Sequence, residues 1–304
     1  MLTKANRHAF TMIELIFVIT IMGILGKFGT EFLATAYKSF IFSKINNNLQ
    51  EKSASAIEFI SKRLESRIKT SVIARNVTVT PNTINYVNGS GLSDSDATVL
   101  EWIATDIEGF RGNSTPLWSG IIDLDTTVSN ASKLISPTSN FTAVSTQMAL
   151  LSPTGKTLTG AAIYFIRSFS IGTNPWGYGG AIGDQTELLH PIKKGTNQNE
   201  LISNIAGFNF AGVRVYEYYK LVSTAYAVEL GDYDNTNKIG NLYLYYDYRP
   251  WLGQKFTDGK KVLLAENINT FRFRGTGSLI KIQVCAKSDL KNEEYALCKE
   301  KTVY

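Results

Sequence analysis

Glu14 is the only formally charged residue in the apolar run HAFTMIELIFVITIMGILG at residues 8–26. A carboxylate near the centre of a membrane-length helix costs about 2.5–3.5 kcal/mol on insertion scales, so such a residue is rarely idle. A buried carboxylate has to be neutralised or paired, and the chemistry expected of Glu14 is therefore pairing with a cation. Lys4, Arg7 and His8 stand before and at the start of the run and mark the cytoplasmic side, which is expected to send the remainder of the chain across the membrane. A secretory signal peptide has a shorter apolar region, about 7–15 residues, closed by a small-residue cut site. Here the run continues through Leu25 with no A-x-A pattern after it, and Lys27 to Phe32 lead into further helix-forming sequence. A plain transmembrane anchor of about 20 residues explains the length. It explains neither Glu14 nor the short polar leader.

Other residues of suggestive type carry less. Asp232, Asp234 and Asn237 suggest an oxygen-rich calcium loop, but the EF-hand pattern needs Gly at its sixth and Glu at its twelfth position. Counted from Asp232, those places hold Asn237 and Tyr243, so a polar hairpin turn is expected instead and no metal is assigned. The glycine-rich stretch from Gly172 to Gly183 does not run from a strand into a helix in phosphate-loop order. His190 has no acid or nucleophile beside it in a recognisable motif, so no catalytic residue and no cofactor are assigned and no enzyme activity is expected. Trp102, Trp118, Trp176 and Trp251 read as core residues.

The string Phe10-Thr11-Met12-Ile13-Glu14-Leu15 resembles the N-terminal signature of type IV prepilins and of the pseudopilins of type II secretion. That resemblance implies a prepilin peptidase that cuts between Ala9 and Phe10 and N-methylates Phe10, with Glu14 as the fifth mature residue. The family usually has Gly before the cut; this chain has Ala9. The amine freed at Phe10 lies one helical turn from Glu14. The resemblance implies that the amine of one subunit meets Glu14 of a neighbour in a fibre and sets axial register. The partners implied are prepilin peptidase, other pilin or pseudopilin subunits, an assembly platform in the inner membrane, and the lipid bilayer.

Cys285 and Cys298 are the only cysteines. In an exported chain an isolated pair reads as a disulfide. Pilins often staple their C-terminal segment in this way, and two thiols alone do not make a zinc site.

Of the 304 residues, 44% are apolar, enough for a true core. The formal net charge of +5 invites a nucleic-acid reading, but its distribution does not support one: residues 76–304 hold 20 basic and 21 acidic residues. A nucleic-acid-binding head would show a basic face. The excess lies in residues 27–75, with nine basic residues against four acids, where it suits lipid headgroups or acidic neighbours.

The apolar stripe continues through Ile41, Ile45, Leu49, Ile57, Ile60, Leu64 and Ile68, with no proline between Phe10 and Arg75. One helix from about Phe10 to about Ala74 is expected, roughly 95 Å long at 1.5 Å per residue. Gly23, Gly26 and Gly29 would let helices approach closely. Residues 76–98 have loop composition, and 99–160 show no clear order. Beyond them come a buried strand at Ile163–Ile166, a surface loop at 172–183, and two hairpins. The first joins 213–230 to 242–246 and the second joins 271–274 to 280–284. The fold class expected is α+β, pilin-like: a long N-terminal helix, half transmembrane and half amphipathic, packed on an antiparallel β-sheet head. The expected boundaries are leader 1–9, transmembrane helix 10–28, amphipathic stem 29–75 and periplasmic head 76–304.

Two further segments, IEFISKRLESRI at 57–68 and LAENINTFRF at 264–273, resemble a J-type minor pseudopilin. The K type usually lacks the fifth-position Glu, and Glu14 counts against it. The rivals are a minor pilin of a type IV pilus or DNA-uptake system, and a membrane-anchored binding or hydrolytic protein.

Overall fold

A computed structural model describes residues 11–78, 83–87, 98–170, 174–288 and 295–304. It contains helix α1 (Met12–Glu65), strands β1 (Ile73–Asn76), β2 (Thr83–Tyr86) and β3 (Val99–Thr105), helix α2 (Ile107–Arg111), strand β4 (Leu134–Ile135) and helix α3 (Phe141–Leu151). Then follow β5 (Ala161–Phe165), β6 (Leu189–Lys194), β7 (Glu200–Ser203), β8 (Tyr219–Asp234), β9 (Ile239–Tyr248), β10 (Lys260–Thr276), β11 (Leu279–Lys287) and β12 (Ala296–Val303). The architecture is α+β and pilin-like, a long N-terminal helix followed by an antiparallel sheet. Two compact units result, Met1–Glu51 and Lys52–Tyr304.

In the first unit α1 carries its apolar side chains outward: every described residue from Thr11 to Phe40 is exposed. In the second unit the end of the same helix is amphipathic. Ser53, Ala56, Ile57, Ile60, Ser61 and Leu64 are buried at three- and four-residue spacing, one face of a 3.6-residue period. The flanks of that face supply Glu58 to Lys301 of β12 at 2.6 Å and Arg63 to the Tyr226 hydroxyl at 3.3 Å.

The helix ends at Glu65, short of the expected Ala74. Ile68 fits the helical stripe, yet its N–H donates to Ile103 O of β3 at 2.9 Å, and the β-branched pair Val72-Ile73 begins strand pairing. Pairing with the sheet has overridden local periodicity. Arg67 fixes this turn: its buried guanidinium donates to Leu64 O and Ser278 O, both at 2.8 Å, to Val303 O at 3.3 Å and to Tyr304 O at 3.4 Å.

The sheet path runs β12-β11-β10-β9-β8-β5-β6-β7-β4, all antiparallel, with β3 joining β8 and β1 joining β3 and β2. Strand β8 is the hub. Val222 is paired with both Ala162 of β5 and Thr105 of β3, and Ala225 with both Ile103 of β3 and Tyr248 of β9. Strand alternation feeds two cores. Ala161, Ile163 and Phe165 of β5 join Trp118, Phe141, Val144 and Met148 in one, while Ala162 joins Trp176, Tyr248 and Trp251 in the other. All four tryptophans are buried, as expected. The described part of the glycine-rich segment, 174–183, is not a free surface loop. Trp176 and Ile182 enter the second core, and Tyr178 donates its hydroxyl to Ser71 O at 2.8 Å.

Order also emerges in the stretch 99–160. Helix α3 starts where Asn140 accepts the Ala143 N–H at 3.0 Å and buries Phe141, Val144 and Met148. Pro153 then bars its continuation past Ser152. Both expected hairpins are present, β8–β9 and β10–β11, with longer strands than the composition suggested. Cys285 and Cys298 face each other across β11 and β12 and form a disulfide, Cα–Cα 3.9 Å.

Candidate functional site

Among the described residues, the N-terminal part of α1 presents a long run of exposed apolar side chains. Its side chains from Met12 to Phe40 include large apolar residues more than half exposed, such as Phe17, Phe28 and Phe32. Among the described residues it is the one helix long and apolar enough to cross a membrane. Around Gly23, Gly26 and Gly29 an added Cβ would meet nothing within 4 Å, so the helix is notched there and open.

At its start the Glu14 carboxylate is placed by a reciprocal cap. Glu14 Oε2 accepts from Thr11 N at 3.3 Å and from Thr11 Oγ1 at 3.2 Å, while Thr11 Oγ1 accepts from Glu14 N at 3.4 Å. This is a capping box, Thr at the cap and Glu three residues on, and it sets a negative charge at the positive end of the helix dipole. The T-x-x-E spacing was present in the sequence as a signal for it. The described residues offer the Glu14 Oε1 atom no hydrogen-bond donor. Ala9 and Phe10 lie outside the described residues.

Two cavities lie among the described residues of the second unit. One, of about 500 Å³, lies beside Phe59, Tyr226, Leu244 and Val262. The other, of about 430 Å³, contains His190 with Phe169, Phe208 and Tyr216. His190 is buried, holds Gln185 Oε1 at 3.0 Å through Nδ1, and contacts the rings of Phe165 and Phe210. Desolvation pushes its pKa down to about 4. It is a core histidine with an amide partner.

That placement has a stability consequence. Between the unfolded value of about 6.5 and the native value the unfolded chain takes up a proton that the native chain refuses, so stability falls as pH falls. The loss amounts to about 3 kcal/mol over the window. In denaturant titrations of detergent-solubilised protein from pH 7 to pH 4, His190→Gln is expected to remove this slope relative to wild type. Parallel pH curves for the two proteins would overturn the assignment.

Asp232 and Asp234 are consumed by their own turn. Asp234 accepts from Thr236 N at 2.8 Å and Asn237 Nδ2 at 2.6 Å, and Asp232 accepts from the Tyr243 hydroxyl. These hydrogen bonds hold both carboxyls below their ordinary pKa. Among the described residues no group of three or more His, Cys, Asp or Glu could hold a metal ion. A buried ion pair that no short-range sequence pattern signals also lies in the head. Arg75 donates to Glu101 Oε2 through Nη2 at 2.7 Å and Nε at 3.0 Å, and Tyr248 donates to Glu101 Oε1 at 3.0 Å. Burial pushes the Glu101 pKa up, against the pull of Arg75 and the Tyr248 hydrogen bond.

A match to the prokaryotic N-terminal methylation motif covers residues 4–26. Together with the long apolar helix, this motif fits a type IV pilin or pseudopilin subunit, a family that is structural rather than catalytic. No curated protein and no solved structure matches the chain significantly.

Proposed function

We propose that this chain is a minor pseudopilin of a type II secretion fibre, resembling the J type. In this reading prepilin peptidase removes residues 1–9, cutting between Ala9 and Phe10, and N-methylates Phe10. Residues 10–28 hold the subunit in the inner membrane, residues 29–75 form the stem region, and the globular part, residues 76–304, sits on the periplasmic side. Assembly on the inner-membrane platform then moves the exposed helix from lipid to other pilin or pseudopilin subunits. The observation that carries the proposal is the methylation motif running into a helix with exposed apolar side chains through Phe40. Lipid or neighbouring helices are the environments that would cover such a surface.

The mature N-terminus tests this directly. Mass spectrometry of membrane-derived protein is expected to find a chain beginning at Phe10 and carrying one added methyl group. An intact Met1 start, or a cut beyond residue 26, would sink the proposal and favour a conventional anchored protein. Loss of exported hydrolases on deletion fits type II secretion; loss of DNA uptake or surface pili would assign the subunit to a type IV system.

A further inference from the structure

The cavity of about 430 Å³ contains one oriented acceptor. Gln185 Nε2 donates to Pro191 O at 3.3 Å and to Ser203 Oγ at 2.8 Å, which turns Gln185 Oε1 towards His190. A carboxamide oxygen only accepts, so His190 Nδ1, 3.0 Å from it, carries the ring proton. The imidazole is neutral above its pKa of about 4, and Nε2 then presents a lone pair. His190 is 3% exposed and lines the cavity. With Nδ1 occupied, Nε2 is the nitrogen left for an occupant, and no described residue donates to it.

Aromatic side chains stand along the same cavity. Phe169 and Phe208 are 70% and 51% exposed, and Tyr216 accompanies them. The faces of such rings hold C–H surface. The polar groups are of both kinds. Asp184 gives Oδ1 to Thr186 and keeps Oδ2 as an acceptor, and Glu187 adds a second carboxylate. Asn209 gives Oδ1 to the Ala211 N–H and keeps its amide nitrogen as a donor. Arg214 lies 5.4 Å over the Tyr216 ring. An anion here would meet Asp184 and Glu187, and a cation would meet Arg214. A neutral occupant with several hydroxyls meets neither repulsion, because each hydroxyl both donates and accepts.

We propose that this cavity binds a neutral saccharide, with a ring C–H face against Phe208 and Phe169 and a hydroxyl donating to His190 Nε2. The volume lies within the range of small-molecule sites. Binding of this kind is independent of fibre assembly, so its test and that of the mature N-terminus fail separately.

The test presents the full chain, held in micelles of a detergent without a sugar headgroup, to an array of neutral, anionic and amino-bearing saccharides. Saturable binding to at least one neutral saccharide is expected, displaced by the same saccharide free in solution. Phe208→Ala and Phe169→Ala, at exposed positions that should leave melting unchanged, are each expected to weaken it about tenfold. The O-methylated form of the bound saccharide keeps its ring but cannot donate to His190, and should lose binding to the unaltered protein. No binding to any neutral saccharide, or binding confined to charged ones, would overturn the proposal. So would equal binding by wild type and Phe208→Ala, or undiminished binding of the O-methylated form.

Discussion

Glu14→Ala should enter the membrane as well as the wild type or better, and should fail to incorporate efficiently into fibres. Removing a carboxylate from an apolar span lowers the insertion cost. If the amine at Phe10 of an incoming subunit pairs with Glu14 of its neighbour, the Ala variant leaves one buried charge without a partner, which typically costs about 3–5 kcal/mol. The same substitution removes half of the capping box with Thr11, a smaller effect of about 1 kcal/mol. Glu14→Gln separates the two, since its amide oxygen still accepts from Thr11 N while the charge is gone; its incorporation should fall between wild type and the Ala variant. The head, folded around cores remote in sequence from residue 14, should melt as wild type in both. Sheared fibres containing the Ala variant at wild-type level would refute the pairing. A partial defect would instead place the subunit at a fibre tip, where no subunit sits above it.

Arg75→Ala should destabilise the head by about 3–5 kcal/mol, because it strands Glu101. The Glu101 side chain has no exposed surface and would retain the Tyr248 hydroxyl alone. The double variant Arg75→Ala with Glu101→Leu should recover a large part of the loss, since an apolar replacement of a whole buried pair is often neutral. The pH dependence has a definite sign. Burial already raises the Glu101 pKa, and without Arg75 it rises further. The native variant then binds a proton at a pH where the unfolded chain, with a carboxyl near about 4.3, does not. Its deficit is therefore full above the native pKa and shrinks on acidification towards the unfolded value. Thermal or urea unfolding at pH 8 and pH 5.5 checks this, and a deficit that is equal at both pH values would contradict it.

What could be read in the sequence was what depends on short-range pattern. The charge in an apolar run singled out Glu14, the alternation at 271–274 and 280–284 marked the β10–β11 hairpin, and the isolated cysteines marked the staple of β12. What escaped depends on partners far along the chain. β3 is buried along six of its seven residues, so it lacks the polar alternation that betrays a half-exposed strand, and Glu101 in its middle looks like a solvent residue. Only the fold brings Arg75 and Tyr248 to that carboxylate. The end of α1 was misplaced for the same reason: Ile68 suits the helix, and only its bond to β3 decides against it.

The Arg67 guanidinium sets an order of events. Two of its four acceptor carbonyls, Val303 O and Tyr304 O, lie more than 230 residues further along the chain. Loop closure over so long a span is slow relative to local pairing. Until the last strand arrives, this cation has only Leu64 O and Ser278 O to bind, and burying it would be unfavourable. The junction between the end of α1 and the sheet is therefore expected to close after β12 has paired with β11.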